Sequence, residues 1–248
     1  MKRQYRNYLK IINEFINVQS PFDIEILGNV HYDKCYPFIS FHNHSKLAKH
    51  NVVINSGAHG TESVSVKVML RFLQEFNDEL LGYYNFHLFP IINPFGYTYG
   101  IRRNGNKQHA NSGFDCPEDK MTPEAMILRD AVPHRVDLFI DIHADEKNGF
   151  YVYERKRPDK GSLVEKSLTI LKKNKIPILV ADTVYSEKCV DGVIVQPGKD
   201  GSMDDSMFQK GAFYSLCIEI PAQIPEDEQI IGGLMLINEI LNKFKEVK

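Results

Sequence analysis

The chain has 248 residues and a mass of 28.5 kDa, enough to bury a full core as one α/β domain spanning residues 1–248. Hydrophobic residues make up 43% and charged residues 25%, as in ordinary soluble globular proteins; a formal net charge of -2 gives no electrostatic reason to expect nucleic acid or an anionic membrane as partner. The four cysteines, Cys35, Cys116, Cys189 and Cys217, form no CxxC pair, which speaks against a thiolate zinc knot or a disulfide framework and for buried free thiols.

The N-terminus carries Lys2, Arg3 and Arg6, but polar residues interrupt every apolar run that follows, so no signal-peptide core is expected. No apolar stretch approaches the roughly 20 residues of a membrane helix, and a cytoplasmic location is the expectation. Residues 4–17 place Tyr5, Tyr8, Leu9, Ile12, Phe15 and Ile16 on one face of an amphipathic helix. Phe22 to Leu27 and Tyr36 to Phe41 alternate around a turn-rich segment and read as an antiparallel pair at one side of a sheet. His31, His42 and His44 lie in or beside this pair with nothing acidic at a ligand spacing, so they read as surface or hydrogen-bonded histidines.

Asn51-Val-Val-Ile-Asn55 is a short β-branched strand. It runs into a Gly-containing turn with His59 and Glu62 three residues apart, and then into a helix from Ser63. Such a turn sits at the carboxyl edge of an open α/β sheet, where ligands bind. His59 and Glu62 are therefore a candidate metal pair, although HxxE also arises by chance. Asn85 to Pro94 reads as a buried strand, and the Gly-, Asn- and Arg-rich stretch from Phe95 to Phe114 as a long functional or disordered loop. Thr122-Pro-Glu opens a helix with a cap and a proline at its first position.

Val136 to His143 is the most strand-like run in the chain, and Gly149 to Tyr153 continues the sheet. A helix over 161–173, strands at Ile176 to Ala181 and Val193 to Val195, and a short helix from Ser202 or Asp204 follow. A strand from Phe213 to Pro221 and a long amphipathic helix over 226–245 close the chain. Strands alternating with helices imply a three-layer α/β/α domain with a mixed, mostly parallel central sheet.

His59, His143 and Glu219 all stand at the ends of apolar strands, where an ionisable side chain is costly unless paired or metal-bound. Two histidines and a carboxylate with an open position suit a catalytic zinc. His59, Glu62 and His143 can supply that set, leaving Glu219 as a carboxylate able to take a proton from water.

Four elements occur in order from about Asn51 to Pro221. They are His59 to Glu62; Asn93-Pro-Phe-Gly96 with Arg102-Arg-Asn104 and Asn111-Ser-Gly-Phe114; Asp141-Ile-His143; and Gly201-Ser-Met-Asp204 with Ser215-Leu-Cys-Ile-Glu219. In these the chain resembles the zinc carboxypeptidases and their aspartoacylase and succinylglutamate desuccinylase relatives. The resemblance implies one Zn2+ per chain on His59, Glu62 and His143, and Glu219 as the base that passes its proton to the leaving amine. It also implies Arg102 at the position that stabilises the oxyanion, and Asn111 on a polar group of the substrate. Arg103 is either a substrate contact or half of a solvated loop pair.

Two departures touch specificity. Ser112 stands where the family carries an arginine for the substrate's terminal carboxylate, removing charge-assisted hydrogen bonds of roughly 1.5 to 3 kcal/mol each. Val195-Gln-Pro-Gly-Lys-Asp has no tyrosine where the family places one. Met203 occupies the position that sets side-chain preference, and its thioether favours apolar or mixed groups. Asp205 would offer charge if the turn were shifted, both aspartates can instead cap the following helix, and Lys199 is an alternative carboxylate partner. The expected activity is hydrolysis of an amide bond in a peptide or, alternatively, in an N-acyl amino acid. A further alternative is an inactive, ligand-binding member of the fold.

Overall fold

A computed structural model describes residues 5–247. Gln4, Lys2 and Arg3, which enter the N-terminal expectations, lie outside the described residues. The elements run α1 (Tyr8–Ile16), β1 (Asp23–His31), β2 (Cys35–His42), β3 (His50–Ser56), α2 (Ser63–Gln74), β4 (Tyr84–Phe89), α3 (Pro94–Tyr99), α4 (Pro123–Ala131), β5 (Leu138–Asp145) and β6 (Tyr151–Lys156). They continue with α5 (Leu163–Lys173), β7 (Thr183–Val184), β8 (Glu187–Lys188), β9 (Val193–Val195), α6 (Met203–Gln209), β10 (Tyr214–Pro221) and α7 (Glu226–Phe244).

Eight strands form one mixed sheet in the order β1-β2-β4-β3-β5-β10-β6-β9. The central four, β4, β3, β5 and β10, run parallel, while the β1/β2, β2/β4 and β6/β10 pairs are antiparallel. Alternation along the central strands sends side chains into two layers. Val52, Ile54, Leu138, Ile140 and Ile142 pack under α1, α2, α5 and α7, whereas Val53 and Phe139 pack with Leu128 of α4 and Met207 of α6. Both faces are therefore covered, which is why these strands read as continuous apolar runs. No helix among the described residues is long and apolar enough to cross a membrane.

Three expectations about elements change. Ile176 to Ala181 makes only a single bridge, Phe150 to Ile178. Pro177 has no N–H to extend a ladder, and Val180 beyond it is 94% exposed. The strand expected from Asn85 to Pro94 ends at Phe89, and Pro94 instead opens α3, capped by the Asn93 side chain on the Gly96 N–H. Six residues are too few to show helical periodicity. On α1 the buried face is Tyr8, Ile11, Ile12 and Phe15, while Leu9 and Ile16 are exposed. All four cysteines are free, but Cys35 and Cys116 are exposed rather than buried.

Candidate metal and hydrolytic site

The site lies at the carboxyl ends of β3, β5 and β10. The turn after β3 is tight because Gly57 adopts φ 69°, and a Cβ at Gly60 would stand 1.9 Å from the backbone of Gly96. That contact seats the turn on α3. Ser65 accepts from the Gly57 N–H and donates to the Glu62 carbonyl, 3.2 and 2.7 Å. The Asn93 amide donates to the carbonyls of Ala58 and Arg102, 3.1 and 3.2 Å, joining the turn to the loop that carries Arg102. Arg6 donates to the Gly60 carbonyl at 2.8 Å, a buttress from the N-terminal segment that no local pattern announced.

These supports bring His59, Glu62 and His143 together, all buried, with potential ligand atoms within 4.8 Å of one another. Glu62 Oε1 is 2.7 Å from His59 Nδ1 and Glu62 Oε2 is 2.9 Å from His143 Nδ1. His143 Nε2 lies 3.1 Å from Asp141 Oδ2, and the oxygens of this buried carboxylate have no hydrogen-bond partner among the described residues. Two imidazoles, one carboxylate and a second carboxylate behind an imidazole fit a divalent cation such as zinc.

The electrostatics fit as well. Burial opposes ionisation of Glu62, but its contacts with His143 and His59 outweigh this and hold it well below the usual carboxylate range. Burial disfavours a charged His143, yet Asp141 and Glu62 raise its pKa well above the ordinary value. Burial lowers His59. The metal-free cluster therefore keeps a proton that a bound cation displaces.

Glu219 stands beside His143 in the parallel register of β10 and β5. Its pKa is pushed up to about 8 by burial and by the charges of Glu62 and Asp145, with His143 and Arg102 opposing. The Cys217 thiol donates to Glu219 Oε1 at 3.8 Å. Arg102, its side chain 55% exposed, donates to Glu62 Oε1 at 3.1 Å. His59, Arg102, Asn111, His143 and Glu219 line one cavity of about 460 Å³. A wider groove of about 650 Å³ between α1, α2 and α7 contains none of the histidines.

Two expected residues are not in that lining. Met203 is fully buried, its sulfur 2.9 Å from the Asn55 amide nitrogen, and its neighbour Asp204 faces the cavity instead. Arg103 points away and donates to the Lys107 carbonyl at 2.8 Å. Ser112 Oγ is turned back onto the His109 carbonyl. Arg155 of β6 went unnoticed in the sequence because strand alternation only shows which face it is on. It donates to the Gly198 carbonyl at 2.8 Å and lies 3.4 Å from Asp204 Oδ2 and 3.5 Å from Asp205 Oδ1. Tyr153 and Tyr185 also line the cavity, so the site holds tyrosines although the Val195 segment has none.

This geometry defines an α/β chain with a buried His-Glu-His group able to hold a metal. The zinc carboxypeptidase family model matches residues 34–119, about a third of the chain, which includes His59, Glu62, Arg102 and Asn111. A candidate metallopeptidase from Shewanella amazonensis superposes with a TM-score of 0.78 at 24% identity, over 95% of this chain and 91% of that one. A metallo-carboxypeptidase from Burkholderia cenocepacia gives 0.69 at 19%, over 97% and 69%. A Pseudomonas aeruginosa metallo-carboxypeptidase in complex with (2-guanidinoethylmercapto)succinic acid gives 0.70 at 16%, over 97% and 69%. No curated protein matches. The resemblance to the zinc carboxypeptidases is thus borne out by the family match and by the fold.

Proposed function

We propose that residues 1–248 form a single zinc-dependent hydrolase that cleaves an amide bond as a carboxypeptidase-like metallopeptidase. The observation that carries this reading is the His59, Glu62, His143 group with Glu219 beside it at adjacent parallel strand ends. Zinc bound there would polarise the scissile carbonyl and acidify water. Asp141 sets a negative charge 3.1 Å behind the His143 ring, and Glu62 bridges both imidazoles.

Glu219 accepts the proton of the attacking water and passes it to the leaving amine. Burial raises the Glu219 pKa in the metal-free protein, and the charge of a bound cation would lower it towards the ionised form that a base needs. Arg102 places a guanidinium at the cavity mouth for the developing oxyanion, and Asn111 offers its amide to a polar group of the substrate. Arg103 and Met203 are not needed in this assignment.

The alternative substrate, an N-acyl amino acid, also ends in a carboxylate, so the absence of a cation at Ser112 counts equally against both readings. A hydrolysis screen of the zinc-loaded protein decides between them by pitting C-terminal basic and apolar dipeptides against N-acyl amino acids. Dipeptide turnover supports the peptidase, turnover of acyl amino acids alone replaces it with the deacylase, and turnover of neither removes both.

A further inference from the structure

Of the histidines in and beside the β1/β2 pair, His31 ends β1, whereas His42 and His44 meet a third ring from a different element, His87 of β4. The His44 ring centre is 5.4 Å from that of His42 and 6.4 Å from that of His87. His42 and His87 are partners in the antiparallel register of β2 and β4, and Asp23 is the partner of His42 on β1. Directly opposed residues of adjacent strands share a face, with Cβ atoms roughly 4.5 to 5.5 Å apart. An aspartate and two imidazoles therefore form a row across three strands, and His44 joins it from the loop after β2.

The backbone holds this row in place. Asn43, between His42 and His44, is buried. Its N–H donates to the Phe86 carbonyl at 3.4 Å, its amide donates to the Tyr84 carbonyl at 3.2 Å, and its Oδ1 accepts from the Phe86 N–H at 2.8 Å. Phe86 immediately precedes His87, so the segments carrying the rings are pinned together where the rings meet. Burial, with the charges of His42 and His44, pushes the His87 pKa down to about 4. At neutral pH His87 is thus the uncharged imidazole that a metal requires, and no proton has to leave it. Among the described residues no hydrogen bond or ion pair engages any of the three rings. A zinc-to-nitrogen distance of about 2.0–2.1 Å sets two ring centres on one tetrahedral cation roughly 5 Å apart. The spacing of His42 and His44 is close to that, and His44, exposed and past the end of β2, closes the gap to His87 by side-chain rotation.

We propose that His42, His44 and His87 form a second metal site, separate from the His59 group, which takes a divalent transition cation of the zinc, nickel and copper class and so clips the β1/β2 hairpin to the parallel core. Imidazole suits these cations, and the Asp23 carboxylate offsets part of their charge. The clip acts where pairing is shortest: β1 and β2 pair over eight positions, whereas β2 and β4 pair at Phe41 with Leu88 and at His42 with His87. The site is set back from the hydrolytic centre, since His87 pairs with Val53, six residues before His59 in the chain. It does not depend on the hydrolase reading.

The test titrates metal-free full-length protein with zinc past one equivalent by calorimetry, comparing wild type with His44→Gln, His87→Gln and Glu62→Gln. Wild type should take up a second equivalent more weakly than the first. His44→Gln, a change at an exposed side chain, and His87→Gln should each weaken that second equivalent by more than the roughly tenfold that loss of a residue behind a ligand costs, with the first equivalent unchanged. Glu62→Gln should lose the tight equivalent and keep the weaker one. Filling the second site should raise Tm and slow hydrogen exchange at the β2 and β4 amides in wild type but not in His44→Gln. Saturation of wild type at one equivalent, or a second equivalent bound as tightly by both histidine variants as by wild type, overturns the metal site. Unchanged exchange at β2 and β4 on filling overturns the clip.

Discussion

His143 and Glu219 sit side by side because β5 and β10 pair in parallel register, whereas Arg155, Asp200, Asp204 and Asp205 meet across the same cavity from a strand, a loop and a helix start. At the reaction centre, two strand ends and one turn set every position; Glu62 is paired with both imidazoles, while Glu219 has the Cys217 thiol as its contact. At the far wall one guanidinium serves three carboxylates, and burial with the charges of Asp200 and Asp141 raises Asp204 although Arg155 opposes this. Backbone register builds the first region. Side-chain contacts between distant segments build the second, so the two should respond differently to substitution.

The largest expected effect is at the centre. Glu219→Gln should lower kcat by about 10²- to 10⁴-fold with the zinc content unchanged, and preserved turnover would show that another group is the base. At the far wall, Arg155→Met should cost about 3–5 kcal/mol of stability in denaturant titration, because Asp204 and Asp205 lose their shared buried counter-charge. Its zinc affinity should match wild type, and a fall would mean that the two regions are coupled. Asp141→Asn should weaken zinc binding about 10- to 100-fold in competition with a chelator, since the amide holds His143 less firmly.

The smallest effect is on pH dependence in the metal-free protein. Folding raises the Glu219 pKa from 4.5 to about 8, so the folded chain keeps a proton that the unfolded chain has released between those values. This contribution to stability is full below about 4.5 and is lost as pH rises through about 8. Glu219→Gln should therefore flatten the fall in Tm across that window, and an unchanged profile would place the perturbed proton elsewhere.

The same contrast governs what could be read in advance. His59, Glu62, His143 and Glu219 end apolar runs or follow one, and periodicity marks such positions directly. The parallel core and its helices were legible for that reason. Ile176 to Ala181 reads as a strand by its apolar side chains, but Pro177 within the run carries the opposite signal, a missing N–H, and the fold follows the proline. Met203 misled because helix α6 begins there, turning its side chain into the core and Asp204 toward the cavity. Arg155 and Tyr185 carry no local signal. The first acts through residues about 45 to 50 positions away, and the second sits on a hairpin whose left-handed tip lacks the glycine that would have marked it.

Zinc titration of the metal-free protein by calorimetry, with Glu62→Gln as reference, tests the central claim most directly. The expected result is one tightly bound zinc per wild-type chain, with proton release on binding and severe loss of affinity in Glu62→Gln. Absence of binding by wild type, or equal binding by Glu62→Gln, would contradict it.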